Sequence, residues 1–272
     1  MLGIRIILCA ICILLSAIPL ASALGLSGGI FVAQVSPGEH IKHEISISTS
    51  KNESSLNITI DILDMLQGPH GETLARNQSA SSRYSARSFL RISPSSFHIE
   101  PGGSQEVLLE GDVPSQAGPG GKYAVLNIRG SPNKTGVPKS TSGVNFGIAI
   151  NGIVELTISK EKAVKTGTIT KLSAQEPVLG KRQNISIMYN NTGNIHYNFK
   201  TSGALMDENK RVLANASIAS GIPIMPGALR FINFSLMPKK ELQPGTYDIN
   251  ATVRLDDGTV LASKETEFKV GS

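Results

Sequence analysis

GTYDINATVRLDDGTVLA, residues 245–262, contains the pattern that decides the fold of this chain. Apolar and polar residues alternate before Asp257-Gly258, which is the period of a strand with one buried and one solvated face. Asp257-Gly258 itself is a preferred tight turn between two antiparallel strands. A two-residue turn here pairs Leu255 with Val260, and the continued register keeps apolar residues opposite apolar ones. The segment therefore predicts a β-hairpin.

The same alternation recurs in short segments elsewhere, and no long stripe with the helical period of 3.6 residues appears. Gly, Pro, Asn and Asp clusters between these segments mark turns. Many short strands at such spacing are typical of a β-sandwich or barrel. The alternating segments include residues 45–47, 58–62, 185–189 and 247–255.

The chain also contains an internal repeat. Ile99-Glu100-Pro101-Gly102 returns as Ile224-Met225-Pro226-Gly227, and Gly121-Lys122-Tyr123 returns as Gly245-Thr246-Tyr247, each about 125 residues later. Two copies of one sandwich explain this better than a single large barrel. We therefore expect a first domain over residues 24–160 and a second over residues 165–272, joined between Lys160 and Lys165.

The repeated Gly-x-Tyr predicts a corner tyrosine in the penultimate strand of each copy. Glycine permits the corner, and the tyrosine ring is buried while its hydroxyl bonds back to the backbone. The residues are Tyr123 and Tyr247. The alternative is a plain core tyrosine at each position.

Val144 to Ile158 predicts one long last strand of the first domain, with a single apolar face and a bend or bulge near Gly152. A hairpin turn at Asn151-Gly152 is rejected, because it would place apolar residues opposite polar ones. A strand longer than its sandwich needs either pairs with another chain or is covered by the second domain. Ile148 and Ile150 are therefore candidate partner-binding residues, with a plain core role as the alternative.

Residues 1–23 have the pattern of a secretory signal peptide. An apolar stretch, Ile6 to Leu20, precedes the small residues Ala21-Ser22-Ala23, and we expect cleavage after Ala23. An uncleaved signal anchor is the alternative. The stretch is short for a membrane span, and no later apolar run follows, so we expect no stable membrane span after cleavage. Both cysteines, Cys9 and Cys12, lie here, which leaves the exported part without disulfides.

The charge pattern gives no sign of nucleic-acid binding, because the net charge is only +5 and no block of Lys and Arg stands out. Asn-x-Ser/Thr sequons recur far more often than composition requires, which favours a secreted, N-glycosylated cell-surface protein of an archaeal or bacterial envelope. The alternative is that alternating strands place Asn and Ser/Thr two apart on one solvent face. The sequons are Asn52, Asn57, Asn77, Asn133, Asn184, Asn190, Asn215, Asn233 and Asn250.

Residues 75–91, ARNQSASSRYSARSFLR, depart from strand character and contain four arginines but no acid. A basic flap of this kind suits an acidic glycan, because Arg binds carboxylate or phosphate in a bidentate manner. A solvated connection between strands is the alternative. The candidate partner-binding arginines are Arg76, Arg83, Arg87 and Arg91.

Motifs of catalysis or cofactor binding are missing from the sequence: no nucleophile elbow, phosphate loop, dinucleotide fingerprint or zinc helix appears. His40 and His43 are three apart, which places them on opposite faces of a strand. Asp61 and Asp64 are separated in the same way. We therefore expect no enzyme activity, no cofactor and no metal site.

Several motifs of the first domain resemble the N-terminal domain of WxL-interacting surface proteins, which is similar in outline to pilus-assembly chaperones. The second domain resembles the immunoglobulin-like modules appended to such proteins, through Asn191-Thr192-Gly193-Asn194 and Pro244-Gly245-Thr246-Tyr247. The first-domain motifs are Phe31-Val32, Pro37-Gly38, Phe97-His98-Ile99-Glu100-Pro101-Gly102, Val113-Pro114 and Gly121-Lys122-Tyr123-Ala124-Val125-Leu126-Asn127-Ile128.

The resemblance implies binding at the cell envelope: peptidoglycan or a surface protein for the first family, and subunit strands for the chaperones. The chaperones also use a basic pair that holds a subunit's terminal carboxylate. Lys160, Lys162 and Lys165 lie near the matching place, but no arginine of the first strand matches.

Together these observations predict an all-β protein: two tandem immunoglobulin-like β-sandwich domains after a signal peptide. The first functional hypothesis is a structural or adhesive module that binds a surface glycan or a surface protein. The alternative is a pilus-type assembly chaperone that lends the edge of Val144–Ile158 to a subunit by β-strand augmentation.

Overall fold

The computed structural model describes residues 24–77, 82–132, 147–175 and 182–271. The predicted signal peptide lies outside these residues. Strands make up almost all of the described secondary structure, with two short 3-10 helices at Arg87–Phe89 and Lys160–Lys162. None of the described helices is long and apolar enough to cross a membrane.

The first sandwich has two sheets made from strands β1 to β10. Their bounds are β1 (Leu24–Ser27), β2 (Ile30–Val35), β3 (His40–Thr49), β4 (Leu56–Gln67), β5 (Thr73–Arg76), β6 (Leu90–Ser93), β7 (Ser96–Ile99), β8 (Ser104–Asp112), β9 (Gly120–Pro132) and β10 (Ile148–Ile158). One sheet has the order β1-β3-β8-β6, and the other has the order β2-β10-β9-β4-β5, with β7 also paired to β4.

The second sandwich contains strands β11 to β17, in sheets of order β11-β12-β15 and β14-β13-β16-β17. The strand bounds are β11 (Gly167–Gln175), β12 (Gln183–Asn191), β13 (Lys200–Met206), β14 (Val212–Ala219), β15 (Leu229–Leu236), β16 (Gly245–Arg254) and β17 (Val260–Val270). Its two sheets reproduce β1-β3-β8 and β5-β4-β9-β10 of the first sandwich. The internal repeat is therefore one topology built twice, and the predicted pair of immunoglobulin-like sandwiches is confirmed.

The predicted alternation places one side chain in two in each core. Ile45 and Ile47 of β3 face Leu126 and Ile128 of β9 in the first core, and all four are at most 1% exposed. Ile185 and Ile187 of β12 have the same place in the second core. Burying a side chain of this size contributes about 1.5–3 kcal/mol, so these alternating positions supply most of the favourable energy of each sandwich.

The hairpin at Asp257-Gly258 has the predicted register in its body, where Val253 pairs with Ala262. The predicted pair of Leu255 with Val260 is wrong, because the register shifts and Val260 pairs with Arg254. The N–H of Leu255 donates to the carbonyl of Thr259 at 2.9 Å, so the loop contains three residues, and the side chain of Asp257 accepts the N–H of Thr259 at 2.9 Å.

Tyr247 is the corner tyrosine that the sequence predicts. Its ring is half-buried, and its hydroxyl donates to the carbonyl of Gln243, four residues upstream, at 2.9 Å. The bond joins the start of β16 to the loop before it.

Tyr123 is not a corner tyrosine of its own sandwich. Its ring belongs to the core of the second sandwich, and its hydroxyl lies 2.9 Å from Nδ1 of His196 and accepts the His196 N–H at 3.0 Å. Tyr123 lies on the face of β9 that points away from the first core, and the second sandwich covers this face at Tyr123. The prediction failed because only the contact between the sandwiches decides which core receives the ring.

Further contacts between the sandwiches surround Tyr123. The N–H of Gly121 donates to the carbonyl of Asn194 at 2.8 Å, and a Cβ on neighbouring Gly120 (φ +113°) would lie 2.3 Å from the same carbonyl oxygen. At the far side, the N–H of Phe231 donates to the carbonyl of Pro69 at 2.8 Å. Backbone bonds at both ends of the interface hold the sandwiches in one relative orientation.

We expect Tyr247→Phe to lower the free energy of unfolding by about 1 kcal/mol, because it removes one partly buried hydrogen bond and keeps the ring. Thermal and urea unfolding followed by circular dichroism measure the change. An unchanged midpoint would show that the hydroxyl contributes nothing and that Tyr247 acts only through its ring.

A second prediction concerns alkaline pH. Burial raises the pKa of Tyr123, Tyr189 and Tyr197 above their usual range. A raised pKa means that the folded state holds its proton more tightly than the unfolded chain, whose tyrosines titrate near pH 10. The stabilisation is complete below about pH 10 and is lost as the pH rises above it.

We therefore expect cooperative unfolding above about pH 10, with tyrosinate absorbance from these residues appearing together with the loss of β-sheet signal. Tyr197→Phe removes one of the groups with a raised pKa. Between neutral and alkaline pH, the free energy of unfolding of this variant should therefore fall less than that of the wild type. Complete tyrosine ionisation in a chain that keeps its β-sheet signal would contradict the prediction.

Candidate strand-addition site

Strand β10 pairs with β9 without interruption, from Ile148 opposite Gly130 to Ile158 opposite Gly120. The predicted bulge near Gly152 is therefore wrong. Gly152 is explained by a close approach, since a Cβ there would lie 2.7 Å from the carbonyl oxygen of Gly29. The described strand begins at Ile148, and the earlier part of the predicted strand, from Val144, lies outside the described residues.

The other edge of β10 is covered over only part of its length. Strand β2 runs parallel to it from Ile30 opposite Ile153 to Val35 opposite Ile158. The N–H of Ile153 donates to the carbonyl of Gly29 at 2.7 Å, which is the first bond on this side. Among the described residues, no strand pairs with this edge over residues 148–152.

The two-residue alternation of a strand shows which backbone groups the uncovered edge presents. Because Ile153 directs its N–H towards β2, Ala149 and Asn151 direct their N–H and C=O groups to the same side. Ile148 and Ile150 direct theirs towards β9 instead. Within the described ranges, Ala149 and Asn151 therefore present backbone donors and acceptors that no strand pairs with, which is the feature that a further strand requires.

The side chains of this segment follow the predicted alternation. Ile148 and Ile150 are half-buried and pack against the first core, while Ala149 and Asn151 are exposed on the opposite face. An added strand would thus lie beside the open end of that core. Since the N–H of Ile150 faces β9, a proline there would break the sheet itself and would not test the edge.

An apolar surface adjoins the uncovered edge. Ile30 and Val32 of β2 are 72% and 64% exposed, and they lie on the face of the sheet that points away from the core. Half-buried Ile153 lies directly beside Ile30 in the parallel register. At the Ile148 end of the uncovered edge, a cavity of about 500 Å³ contacts Ala149 and is lined by Thr59 and other residues of β4 and β9. Apolar side chains this exposed on a sheet face favour a partner surface.

The four candidate arginines do not form one basic flap. Arg76 is the last residue of β5 and Arg91 lies in β6. Both ends of this segment are therefore strand, contrary to the sequence prediction. Nη1 of Arg87 lies 3.8 Å from the buried carboxylate of Asp64, and Nε of Arg91 lies 3.6 Å from Glu110.

The remaining arginine, Arg83, is placed differently. Its guanidinium lies over the ring of Tyr84, 4.6 Å from the centroid, and donates to the Tyr84 hydroxyl. The Tyr84 hydroxyl in turn donates to the carbonyl of Gly193 in the second sandwich at 3.2 Å. Arg83 is therefore part of the contact between the sandwiches.

The sequons lie mainly on strand faces that point to solvent, as the alternative reading of the pattern expects. The hydroxyl of Ser235, which belongs to the sequon of Asn233, donates to the Asn184 side chain at 2.8 Å. Asn133 lies outside the described residues. The asparagine is exposed at Asn52, Asn57, Asn77, Asn184, Asn215 and Asn233, and half-buried at Asn190 and Asn250.

The histidines form no metal-binding cluster in the described part of the chain, and the linker lysines point to solvent. His40 bonds Asp112 at 2.7 Å, whereas His43 lies on the opposite face and contacts the carbonyl of Gly28. Over residues 24–77, 82–132, 147–175 and 182–271, no three His, Cys, Asp or Glu side chains meet in a metal-binding arrangement. Lys160, Lys162 and Lys165 are all exposed on the short segment after β10.

Comparison with known proteins gives a likeness of fold. No family model matches the sequence, and no curated protein matches it. Among solved structures, a chaperone–tip adhesin complex of CFA/I fimbriae aligns with 92% of this chain and 100% of the matched chain, at 12% identity and a TM-score of 0.45.

Two further chaperones align over a similar length. The class 5 fimbriae chaperone CfaA aligns with 92% of this chain and 100% of its own, at 12% identity and a TM-score of 0.43. The Escherichia coli chaperone DraB aligns with 92% of this chain and 98% of its own, at 13% identity and a TM-score of 0.38. These three matches are to fimbrial chaperone structures, and what they share with this chain is an immunoglobulin-like fold at low sequence identity.

Proposed function

We propose that this protein is an envelope-associated assembly chaperone that holds a surface-protein subunit by strand addition at β10. The observation that carries the proposal is the edge over residues 148–152, where no strand of the described part of the chain pairs with the backbone groups of Ala149 and Asn151. Strand addition uses such main-chain groups for affinity and neighbouring side-chain pockets for specificity. The binding segment would be an extended, partly apolar strand of the subunit.

The surroundings of the edge support this assignment. Soluble proteins usually protect an exposed strand edge with charge, proline or a covering loop, because an open edge invites pairing with other chains. Here Asn151 is the one polar side chain of residues 148–152, and the apolar side chains Ile148, Ile150 and nearby Ile30 carry no charge that would repel a strand. Such a surface is suited to a regular partner strand.

The interface between the sandwiches supports a preformed site. Strand β9, which holds β10 in place, is bonded to the second sandwich through Gly121 and Tyr123. Glu155 of β10 itself lies 3.7 Å from His196 of the second sandwich. A binding edge that is already ordered loses less conformational entropy when a partner strand is added.

The hypothesis of a glycan-binding module receives less support. Its candidate residues were the arginines of residues 75–91, and Arg87 and Arg91 already have acidic partners within the first sandwich. A free guanidinium is what an acidic glycan would require. We therefore favour a surface protein over a surface glycan as the partner.

Ala149→Pro tests the proposal at the backbone. Proline removes the N–H that points to the uncovered edge, and the bonds between β10 and β9 stay intact because Ala149 does not take part in them. We expect capture of envelope proteins to fall at least about tenfold, the loss that corresponds to about 1.4 kcal/mol. Quantitative mass spectrometry of proteins cross-linked to the purified chain in envelope extracts measures it.

Ala149→Val is the matched control, since it alters the same side chain but keeps the N–H, and its capture should equal that of the wild type. Circular dichroism verifies that both variants are folded. Unchanged capture by a folded Ala149→Pro variant would reject strand addition at this edge.

Glycosylation is a separate prediction. Oligosaccharyl transfer requires an accessible asparagine in the sequon, so we expect modification at exposed Asn57, Asn184, Asn215 and Asn233 before half-buried Asn190 and Asn250. Glycopeptide mass spectrometry of protein from its native host provides the test. Unmodified asparagines at all of these positions would leave strand alternation as the sole cause of the sequons.

A further inference from the structure

A cavity of about 280 Å³ lies at the side of the second sandwich, between β14 of one sheet and β15 of the other. Its apolar wall includes Phe199, Ile218 and Ile232. His70, from the loop between β4 and β5 of the first sandwich, lines one side, and its ring lies 5.8 Å from that of Phe231. The volume is near the lower end of ligand pockets, which begin at about 300 Å³.

Arg230 lines this cavity and is poorly compensated. The residue is only 5% exposed, and its Nη1 and Nη2 make long bonds of 3.5 and 3.4 Å to the carbonyls of Ile222 and Pro223. Its Nε is buried and has no hydrogen-bond partner among the residues that the structure describes. Burial lowers the pKa of Arg230, whereas the charge of Glu72 raises it. Within the described residues no acid lies within ion-pair distance of Arg230, so its burial is costly.

A second residue with an unpartnered group, Thr201, lines the same cavity from the opposite sheet. Thr201 of β13 is fully buried, and its Oγ1 has no hydrogen-bond partner among the described residues. Buried hydroxyls are satisfied in the great majority of cases, because an unpaired one costs about 1–3 kcal/mol. A buried cation held by only two long hydrogen bonds and a buried hydroxyl with no partner among the described residues thus line one small cavity.

The loop of the first sandwich is shaped to fit the guanidinium. Gly71 has φ +93°, and a Cβ there would lie 2.9 Å from Cζ of Arg230. Gly71 can therefore approach Arg230 in a conformation that other residues rarely adopt. Gly71 of the first sandwich and the carbonyls of Ile222 and Pro223 in the second thus surround the guanidinium of Arg230.

We infer that this cavity binds a small carboxylate with a compact apolar or aromatic body. The guanidinium of Arg230 supplies the charge and donors that a carboxylate pairs with, and the Thr201 hydroxyl donates a further hydrogen bond. Phe199, Ile218 and Ile232 contact the apolar body. The carboxylate comes either from a free organic acid or from the last residue of a polypeptide. The site is separate from the edge of β10 and does not depend on it.

The test is an NMR titration of the isotope-labelled protein with two acids, benzoate for a free acid and N-acetyl-leucine for a polypeptide terminus. Benzamide and N-acetyl-leucinamide are the matched neutral controls. We expect at least one acid to shift the resonances of Thr201 and Arg230 and to bind about tenfold or more tightly than its amide. Which of the two acids binds more tightly identifies the source of the carboxylate.

Two variants assign the binding to these side chains. Arg230→Gln should abolish the preference for acid over amide. Thr201→Val should weaken acid binding yet leave the melting temperature unchanged or higher, because it replaces an unpartnered buried hydroxyl by a methyl group. Arg211→Gln, at an exposed arginine of the same sandwich, is the control and should bind as the wild type does.

Three results would overturn the inference. They are no binding of either acid by the folded wild type, equal affinity of the wild type for acid and amide, or full acid binding by both single variants, Thr201→Val and Arg230→Gln. If Arg230→Gln does not fold, Thr201→Val alone decides, since loss of an unpartnered hydroxyl does not disturb the core. Unchanged acid binding by Thr201→Val would then contradict the site.

Discussion

The contact between Tyr123 and His196 joins the two sandwiches at the strand on which the uncovered edge depends. Tyr123 and Leu126 belong to the same strand, β9, yet Tyr123 packs in the second core and Leu126 in the first. The strand is bonded to β10 on one side and to β4 on the other. Because two cores hold β9, β10 is supported on a rigid base, and its free edge keeps a defined direction.

The sequence predicted the parts of the fold that depend on local pattern. Alternation places residues on the two faces of each strand, and the repeat identifies a topology built twice. Tyr247 was predicted correctly because its partner, Gln243, is only four residues away. Tyr123 was not, because its partner, His196, belongs to the other sandwich. The shift in the hairpin accompanies a three-residue loop, closed by the bond from the Leu255 N–H to the Thr259 carbonyl, and alternation does not encode the length of a loop.

The candidate site was predicted in part for a similar reason. Alternation identified the apolar face of β10 with Ile148 and Ile150, but it does not show which backbone edge a neighbouring strand covers. That depends on β2, which pairs with β10 from a position more than a hundred residues earlier in the chain. Arg230 and Thr201 belong to no sequence motif, and only the packing of the two sheets leaves Nε of Arg230 and Oγ1 of Thr201 without a hydrogen-bond partner among the described residues.

Amide hydrogen exchange measured by NMR tests the central claim most directly. In the free protein, we expect the amides of Ala149 and Asn151 to exchange quickly, while those of Ile150 and Ile153, bonded within the sheet, remain protected. Addition of a cross-linked partner, or of its strand as a peptide, should then protect Ala149 and Asn151. Protection of both amides in the free, monomeric chain would contradict the open edge and the function proposed from it.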